Sequence, residues 1–251
     1  MSVTVGVEVH GHVGLVELQR PPHNFFTVGM IEGVADALET FDRDTNVRAA
    51  VLAAQGRSFC AGADFGGGEE ASSTDRLYAA AVRLCAVDIP VVAAVHGPAI
   101  GGGLGLAMTA SLRVTCPEAR FSANFAKLGI HHGFGLSVTL PERLGPSRAA
   151  LVLLTGRRFT GKEAVELGLA DVCVPVSQIR PAAMELAAEI AENAPLAVRS
   201  INRTLRAGLA DRVREATRHE AAEQARLSAS EDAREGIRAV AERRPGRFTG
   251  T

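Results

Sequence analysis

The chain opens with alternating apolar and polar positions. Val3, Val5, Val7 and Val9 stand at every second residue, and a period of two predicts a β-strand. The segment HGHVG then predicts a turn and VGLVELQ a second strand. The chain is therefore expected to begin with a β-hairpin.

Longer apolar runs follow, and helical patterns separate them. VRAAVLAA and PVVAAVHG have no alternation and predict fully buried strands, whereas residues 29–44 and 74–88 carry apolar side chains at helical spacing. LRVTC and RFSANF predict two short strands. Buried strands that alternate with helices predict an α/β fold with a largely parallel sheet and helices on its faces.

The pattern changes after residue 135. Short helices broken by glycines are expected first, then a short strand in DVCVP, and then helices from Ile179 to Arg243. These last helices carry apolar stripes, for example at Met184 and Ile190. Such a face must be covered by the same chain or by a neighbouring subunit.

Composition narrows the class of protein. A chain of 251 residues with 47% hydrophobic residues suits one large α/β domain, and a net charge of −1 argues against a nucleic-acid partner. The four cysteines are far apart and form no C-x-x-C pair, so we expect reduced thiols and no metal site. No signal-peptide pattern and no membrane-spanning apolar stretch are present. The sequence therefore predicts a cytoplasmic protein without a membrane partner.

Two glycine-bearing turns follow two of the buried strands. The first is SFCAGADFGGGEE and the second is GPAIGGGLGLAM. Turns of small residues expose consecutive backbone N–H groups, and two adjacent turns can each offer one N–H to a single oxygen, which is an oxyanion hole. The alternative is that the glycines only permit close packing between strands and helices.

Other glycine-rich motifs do not fit. The run after Gly97 lacks the Lys and hydroxyl of a P-loop, and it does not match the dinucleotide fingerprint in any register. A nucleophile elbow of the form G-x-S-x-G is also absent. The second turn therefore brings no reactive side chain of its own.

Five segments in order resemble the enoyl-CoA hydratase/isomerase (crotonase) family. They are SFCAGADF, PVVAAVHGPAIGGGLGLAM, FSANFAKLGI, LPERLG and LTGRRFTGKEAVELGLADVCVP. The resemblance implies a crotonase-like spiral of ββα units over residues 1–194 and a C-terminal helical trimerisation region over residues 195–251. It also implies a homotrimer or homohexamer, an acyl-CoA thioester as substrate, and no cofactor beyond the coenzyme A that the substrate carries.

The same resemblance gives the two turns a role. By position, the N–H groups of Ala63 and Gly102 would polarise the thioester carbonyl. Further substrate contacts are implied along the RPPHNFFT segment, both glycine-bearing segments and FSANFAKLGI, at His23, Asn24, Phe25, Ala61, Phe65, Gly66, Gly105 and Phe125.

Family hydratases carry two glutamates that handle the water and the α-proton, and this chain departs from that pattern. Gly105 stands at the first position and Phe125 at the second. Two carboxylates suit hydration because one takes up a proton while the other supplies one. We therefore expect inefficient hydration of enoyl-CoA.

The acid–base role could have moved to another side chain. Asp64 directly follows one oxyanion donor, and His131 and His132 follow the Phe125 segment. Histidine has a suitable pKa for a general base, and adjacent histidines are expected to point apart, so that at most one faces the site. Glu69, Glu70 and Glu142 are weaker candidates, since a solvated loop or a surface position explains them equally well.

Three functions remain open at this point. The first is an isomerase or decarboxylase type of acyl-CoA enzyme with a relocated base. The second is an acyl-CoA-binding protein without catalysis. The third is a hydratase with unusual acid–base residues.

Overall fold

The computed structural model describes residues 4–63 and 74–251. Its strands are β1 (Val5–His10), β2 (Val13–Leu18), β3 (Ala49–Ala54), β4 (Val91–Val95), β5 (Ala99–Ile100), β6 (Leu112–Thr115), β7 (Arg120–Ser122), β8 (Phe159–Thr160) and β9 (Val172–Cys173). Its helices are α1 (Val28–Arg43), α2 (Thr74–Ala86), α3 (Gly102–Met108), α4 (Leu136–Leu144), α5 (Pro146–Thr155), α6 (Gly161–Leu167), α7 (Ile179–Glu192), α8 (Pro195–Leu205), α9 (Leu209–Ser228) and α10 (Glu231–Ala241).

The main sheet has six strands in the order β1-β2-β3-β4-β6-β9. β1 and β2 form the expected antiparallel hairpin, with Val5 opposite Leu18 and His10 opposite Val13. Each later neighbour in the sheet is parallel to the one before it. The predicted hairpin and the predicted parallel sheet are therefore both confirmed.

The buried strands are covered by helices whose sequences suit close packing. β2, β3 and β4 are buried along their whole length. Helix α7 packs on β3 and β4 through Ile179, Ala183, Ala187 and Ala191. Residues four apart lie on one face of a helix, and small alanine side chains let that face approach the sheet. The α7 face is thus covered by its own chain.

A second sheet, with strand order β5-β7-β8, lies beyond the carboxyl end of β4. Here one expectation was wrong: RFSANF is not a single strand, because β7 ends at Ser122 and Asn124–Leu128 forms a 3₁₀ helix. Gly129 then takes a left-handed conformation with φ 70° and ends that helix. Left-handed backbone favours glycine and stops a helical turn.

The C-terminal helices pack on the rest of the chain. Helix α9 contacts α2 and α4, and a small apolar cluster joins Val82 and Cys85 of α2 to Leu209 and Val213 of α9. The division at residues 194 and 195 stays a prediction. None of the helices in the described ranges combines the length and the apolar composition needed to span a membrane.

Candidate functional site

The two glycine-bearing turns lie side by side at the ends of β3 and β4. The Cys60 N–H donates to the Pro98 carbonyl at 3.1 Å, and the Ile100 N–H donates to the Cys60 carbonyl at 3.0 Å. A Cβ placed on Gly62 would lie 3.0 Å from the Ile100 oxygen and 3.9 Å from the Gly102 nitrogen. Residues distant in the sequence are therefore in backbone contact.

The Ala63 and Gly102 N–H groups are not used by the local backbone pairing. In the parallel bridge between Phe26 and Ala63, the Phe26 N–H donates to the Gly62 carbonyl at 3.0 Å, so the Ala63 N–H points away from Phe26. Gly102 is the first residue of α3, and the first four N–H groups of a helix have no intrahelical acceptor. Both residues are partly exposed. Within residues 4–63 and 74–251, neither N–H group therefore has a backbone acceptor.

The three consecutive glycines, Gly101 to Gly103, have different structural roles. Gly101 turns the chain into α3 with φ 57°, a left-handed value that favours glycine. A Cβ on Gly103 would lie 2.0 Å from the Cys60 oxygen, so this position must be glycine for the two turns to touch. Close packing therefore explains Gly101 and Gly103, and it is also what places the Gly102 N–H.

Aromatic rings surround this turn. A Cβ on Gly105 would lie 2.6 Å from the Phe134 Cβ, and a Cβ on Gly102 would lie 2.6 Å from Phe26 Cζ. The Phe26 and Phe134 rings are 5.7 Å apart between centroids, and Phe125 Cζ would be 3.7 Å from a Cβ on Gly101. The side chains around α3's first turn are therefore mostly aromatic, with one polar neighbour, the Asn124 Oδ1, 3.2 Å from a Cβ on Gly101.

His131 and His132 lie in the loop before α4, and the expectation that they point apart was wrong. Their rings stack with centroids 4.1 Å apart and an interplanar angle of 26°. The His131 Nδ1 lies 2.7 Å from the His132 carbonyl oxygen, and His219 of α9 meets the His131 ring edge-on at 5.7 Å. Successive side chains alternate regularly between opposite sides in a β-strand, and residues 131–133 belong to no strand.

The surroundings of His132 favour its neutral imidazole. Burial, and then the neighbouring His131 and His219, lower the pKa of His132 to about 4. Its Nε2 lies 2.8 Å from the Ser137 hydroxyl oxygen. His132 is therefore an uncharged hydrogen-bonding group at neutral pH.

Helix α9 supplies polar groups that the sequence analysis missed. The buried Glu220 carboxylate accepts the Gly135 N–H at 2.8 Å and the Ser137 N–H at 3.0 Å. Gln224 donates to the His131 carbonyl at 2.9 Å and accepts the Tyr78 hydroxyl at 2.6 Å. The helical spacing of Glu220 from Val213 and Thr217 could have predicted its burial. All three residues lie on the buried face of α9.

Comparisons with known proteins agree with this architecture. The sequence profile of the enoyl-CoA hydratase/isomerase family matches residues 8–251. The chain belongs to the enoyl-CoA hydratase/isomerase family.

Individual relatives cover nearly the whole chain. The enoyl-CoA hydratase EchA19 of Mycobacterium tuberculosis is 32% identical, with 96% of this chain and 95% of the relative aligned. A carnitinyl-CoA dehydratase of Proteus mirabilis is 33% identical over 82% of each chain. The crystal structure of a carnitinyl-CoA hydratase from Mycobacterium avium superimposes with a TM-score of 0.89 at 32% identity over 100% of both chains. The expected crotonase-like fold is confirmed, and the protein is an acyl-CoA enzyme of this family.

Within this enoyl-CoA hydratase/isomerase chain, the segment expected along coenzyme A is firmly held. The Asn24 side chain is buried, accepts the Arg20 N–H at 2.9 Å, and donates to the Gln55 and Ser58 carbonyls. The Asn24 side chain therefore fixes the loop, which presents the exposed His23 and Phe25 outward. The Ala61 N–H donates to the His23 carbonyl at 3.0 Å, which joins this segment to the first turn.

The remaining acid–base candidates have different positions. Glu142 lies on the surface and pairs with Arg212 of α9 at 2.6 Å, as the surface explanation predicts. Asp64, Glu69 and Glu70 lie outside the described residues, as do the expected substrate contacts Phe65 and Gly66.

The four cysteines are free thiols in the structure. Cys60, at the centre of the first turn, is fully buried, and burial raises its pKa to about 12. Its thiol is therefore uncharged at neutral pH and forms part of the wall beneath the two turns.

Proposed function

We propose that this protein binds an acyl-CoA thioester with the carbonyl oxygen between the N–H groups of Ala63 and Gly102. The contact between the Gly62–Ala63 and Gly101–Gly102 turns carries the proposal, because it brings together two backbone N–H groups that have no backbone acceptor among the described residues. Each donor aimed at a developing oxyanion typically contributes about 3 to 4 kcal/mol to transition-state stabilisation. Coenzyme A would then lie along residues 22–25 and 61–66, and no other cofactor is needed.

The chemistry that suits this site is proton transfer at C2 through an enolate, as in an isomerase or a decarboxylase. Two backbone donors stabilise an enolate oxygen without any carboxylate. Hydration needs side chains that hold and activate water, whereas Gly105 has none and Phe125 is an apolar ring. The base remains open between the half-buried, neutral His132 and Asp64.

We expect this protein to form an oligomer. Exposed apolar side chains of α8, namely Leu196, Ile201 and Leu205, support a homotrimer or homohexamer. Free thiols at all four cysteines support a reducing, cytoplasmic location.

The donor role of Gly102 can be tested with a matched pair of variants. Gly102→Pro removes the N–H at the first position of α3, where proline is compatible with a helix. Gly102→Ala adds a Cβ that would meet the same Phe26 ring but keeps the N–H. The rate of deuterium exchange at C2 of butanoyl-CoA, followed by NMR, should fall about 100-fold or more in the proline variant relative to the alanine variant.

Equal rates and equal butanoyl-CoA affinities in two folded variants would remove Gly102 as a donor. Binding of butanoyl-CoA by the wild type without any C2 exchange would favour the non-catalytic acyl-CoA-binding alternative.

A further inference from the structure

Phe134 occupies the space over the first turn of α3. A Cβ on Gly105 would lie 2.6 Å from the Phe134 Cβ and 2.9 Å from its Cγ and Cδ1, and a Cβ on Gly102 would lie 3.7 Å from its Cδ2. The ring therefore extends from Gly105 towards the donor at Gly102. It is 2% exposed, so it forms a wall and does not project into solvent.

The backbone of Phe134 is strained. Its φ is 63°, in the left-handed region, although it stands between two glycines that adopt such angles freely. A bulky residue is disfavoured there relative to right-handed backbone, because its Cβ comes too close to a carbonyl oxygen. Strain of this kind persists only where the surroundings determine the conformation, and it gathers at functional sites.

Hydrogen bonds from α9 hold the loop on both sides of Phe134. Glu220 accepts the Gly135 and Ser137 N–H groups, and Gln224 donates to the His131 carbonyl. A Cβ on Gly133 would lie 2.0 Å from the Tyr78 hydroxyl oxygen, so the loop has no room to move towards α2. The position of the ring is therefore fixed.

We infer that Phe134 is a specificity-determining residue: its ring closes the acyl site above Gly105 and excludes acyl groups that are branched at C2. The inference rests on the proposed function, since C2 is bonded to the carbonyl carbon whose oxygen is placed at Gly102. An unbranched acyl group passes below the ring, whereas a methyl branch at C2 has no space between the ring and the glycine face of α3.

Two isomeric thioesters test this directly. Butanoyl-CoA and 2-methylpropanoyl-CoA have the same composition and differ only in branching, and their dissociation constants can be measured by calorimetry with the full chain. Wild type should bind butanoyl-CoA at least about tenfold more tightly, and Phe134→Ala should reduce that preference by about tenfold, which is typical for one methyl group in an apolar pocket. Phe134→Leu should give an intermediate preference, and Phe248→Ala, which removes an exposed ring near the C-terminus, should leave it unchanged.

A thermal-unfolding cycle checks the packing without any ligand. Gly105→Ala should lower the unfolding midpoint of wild type because its Cβ meets Phe134. In a Phe134→Gly background the same change should raise the midpoint, because alanine favours a helix more than glycine does. Phe134→Gly also relieves the strained backbone, so this variant is expected to fold even if Phe134→Ala does not.

The outcomes separate the two proposals. If wild type binds neither thioester, the proposed function fails and the inference fails with it. If wild type binds butanoyl-CoA and the preference is unchanged in folded Phe134→Ala or Phe134→Gly, the inference alone is overturned.

Discussion

Position 105 carries no side chain, and it lies close to the proposed donor. Gly105 is three residues after Gly102, on the same face of α3. Phe134 fills the space that a side chain at 105 would use, and Phe125 lies beside Gly101. Apolar rings therefore stand where the resemblance places two glutamates.

The first expectation at this scale is that hydration of crotonyl-CoA is slow. Loss of a general acid–base group typically lowers a rate by about 10²- to 10⁴-fold. Restoring both carboxylates requires room, and Gly105→Glu alone would collide with the Phe134 Cβ. The triple variant Gly105→Glu, Phe125→Glu, Phe134→Gly should therefore raise the hydration rate, followed as loss of enoyl thioester absorbance, whereas the double variant that keeps Phe134 should not.

An efficient wild-type enzyme would contradict this expectation. A kcat/KM for crotonyl-CoA above about 10⁶ M⁻¹s⁻¹ would mean that other residues activate the water, and His132 and Asp64 would be the first to replace with alanine.

The second expectation concerns the pH dependence of stability. His132 has a pKa lowered to about 4 in the folded protein by burial and by its histidine neighbours, against about 6.5 in an unfolded chain. The unfolded state therefore binds the proton more readily, and the folded protein loses stability as the pH falls from about 6.5 to 4. When thermal unfolding is measured across this pH range, the unfolding midpoint of His132→Gln should fall less with decreasing pH than that of wild type. An identical slope in both proteins would show that His132 is not the group responsible.

At the scale of elements, α9 determines how α4 begins. Gly135 precedes α4 and makes no side-chain cap of its own, so the free N–H groups of the helix need another acceptor. The Glu220 carboxylate, buried in α9, supplies it across a long sequence separation. The same contacts fix the loop that carries His131, His132 and Phe134.

Glu220→Gln should therefore destabilise the fold. A glutamine offers one acceptor oxygen, and its NH₂ group would face an N–H donor, so we expect a loss of about 1 to 3 kcal/mol in the free energy of unfolding. Glu215→Gln is the matched control, because Glu215 is an exposed carboxylate of the same helix that pairs with Arg218. Denaturant unfolding of the two variants measures the difference, and equal stabilities would show that the buried carboxylate contributes nothing.

At the scale of the whole molecule, α8 carries large apolar side chains that are exposed in the single chain. Leu196 is 83% exposed and Leu205 is 79% exposed, whereas the apolar faces of α7 and α9 are covered by the same chain. Large exposed leucines on one helix are typical of a contact surface. The family resemblance suggests that a second copy of this chain covers the exposed face of α8.

Sedimentation velocity should therefore show a trimer or a hexamer at micromolar concentration. Leu196→Glu combined with Leu205→Glu should shift the distribution towards monomer, and Val7→Glu, an exposed apolar position in β1, serves as the control. A stable wild-type monomer at that concentration would contradict the oligomer.

The sequence by itself determined the order and type of most elements and the family. The unbroken apolar runs of β3 and β4 and the helical spacing of α1 follow local burial, which the order of apolar residues shows directly. The alternation in residues 3–9 gave the type of β1 correctly, although Val7 and Val9 are exposed. The sequence also singled out Ala63 and Gly102, whose role stays a prediction. It failed for RFSANF, because the chain leaves β7 at Ser122 and enters a 3₁₀ helix at Asn124, a change that the apolar pattern of the segment does not show.

Only the tertiary structure decided which residues meet. Periodicity does not encode the contact of the two glycine turns, the stacking of His131 on His132, or the hydrogen bond that the Gly135 N–H donates to Glu220. The same holds for Phe134, which the sequence analysis did not single out and which the fold places on Gly105. Periodicity shows which face of an element is buried, whereas the partner of that face is set by how the chain packs on itself.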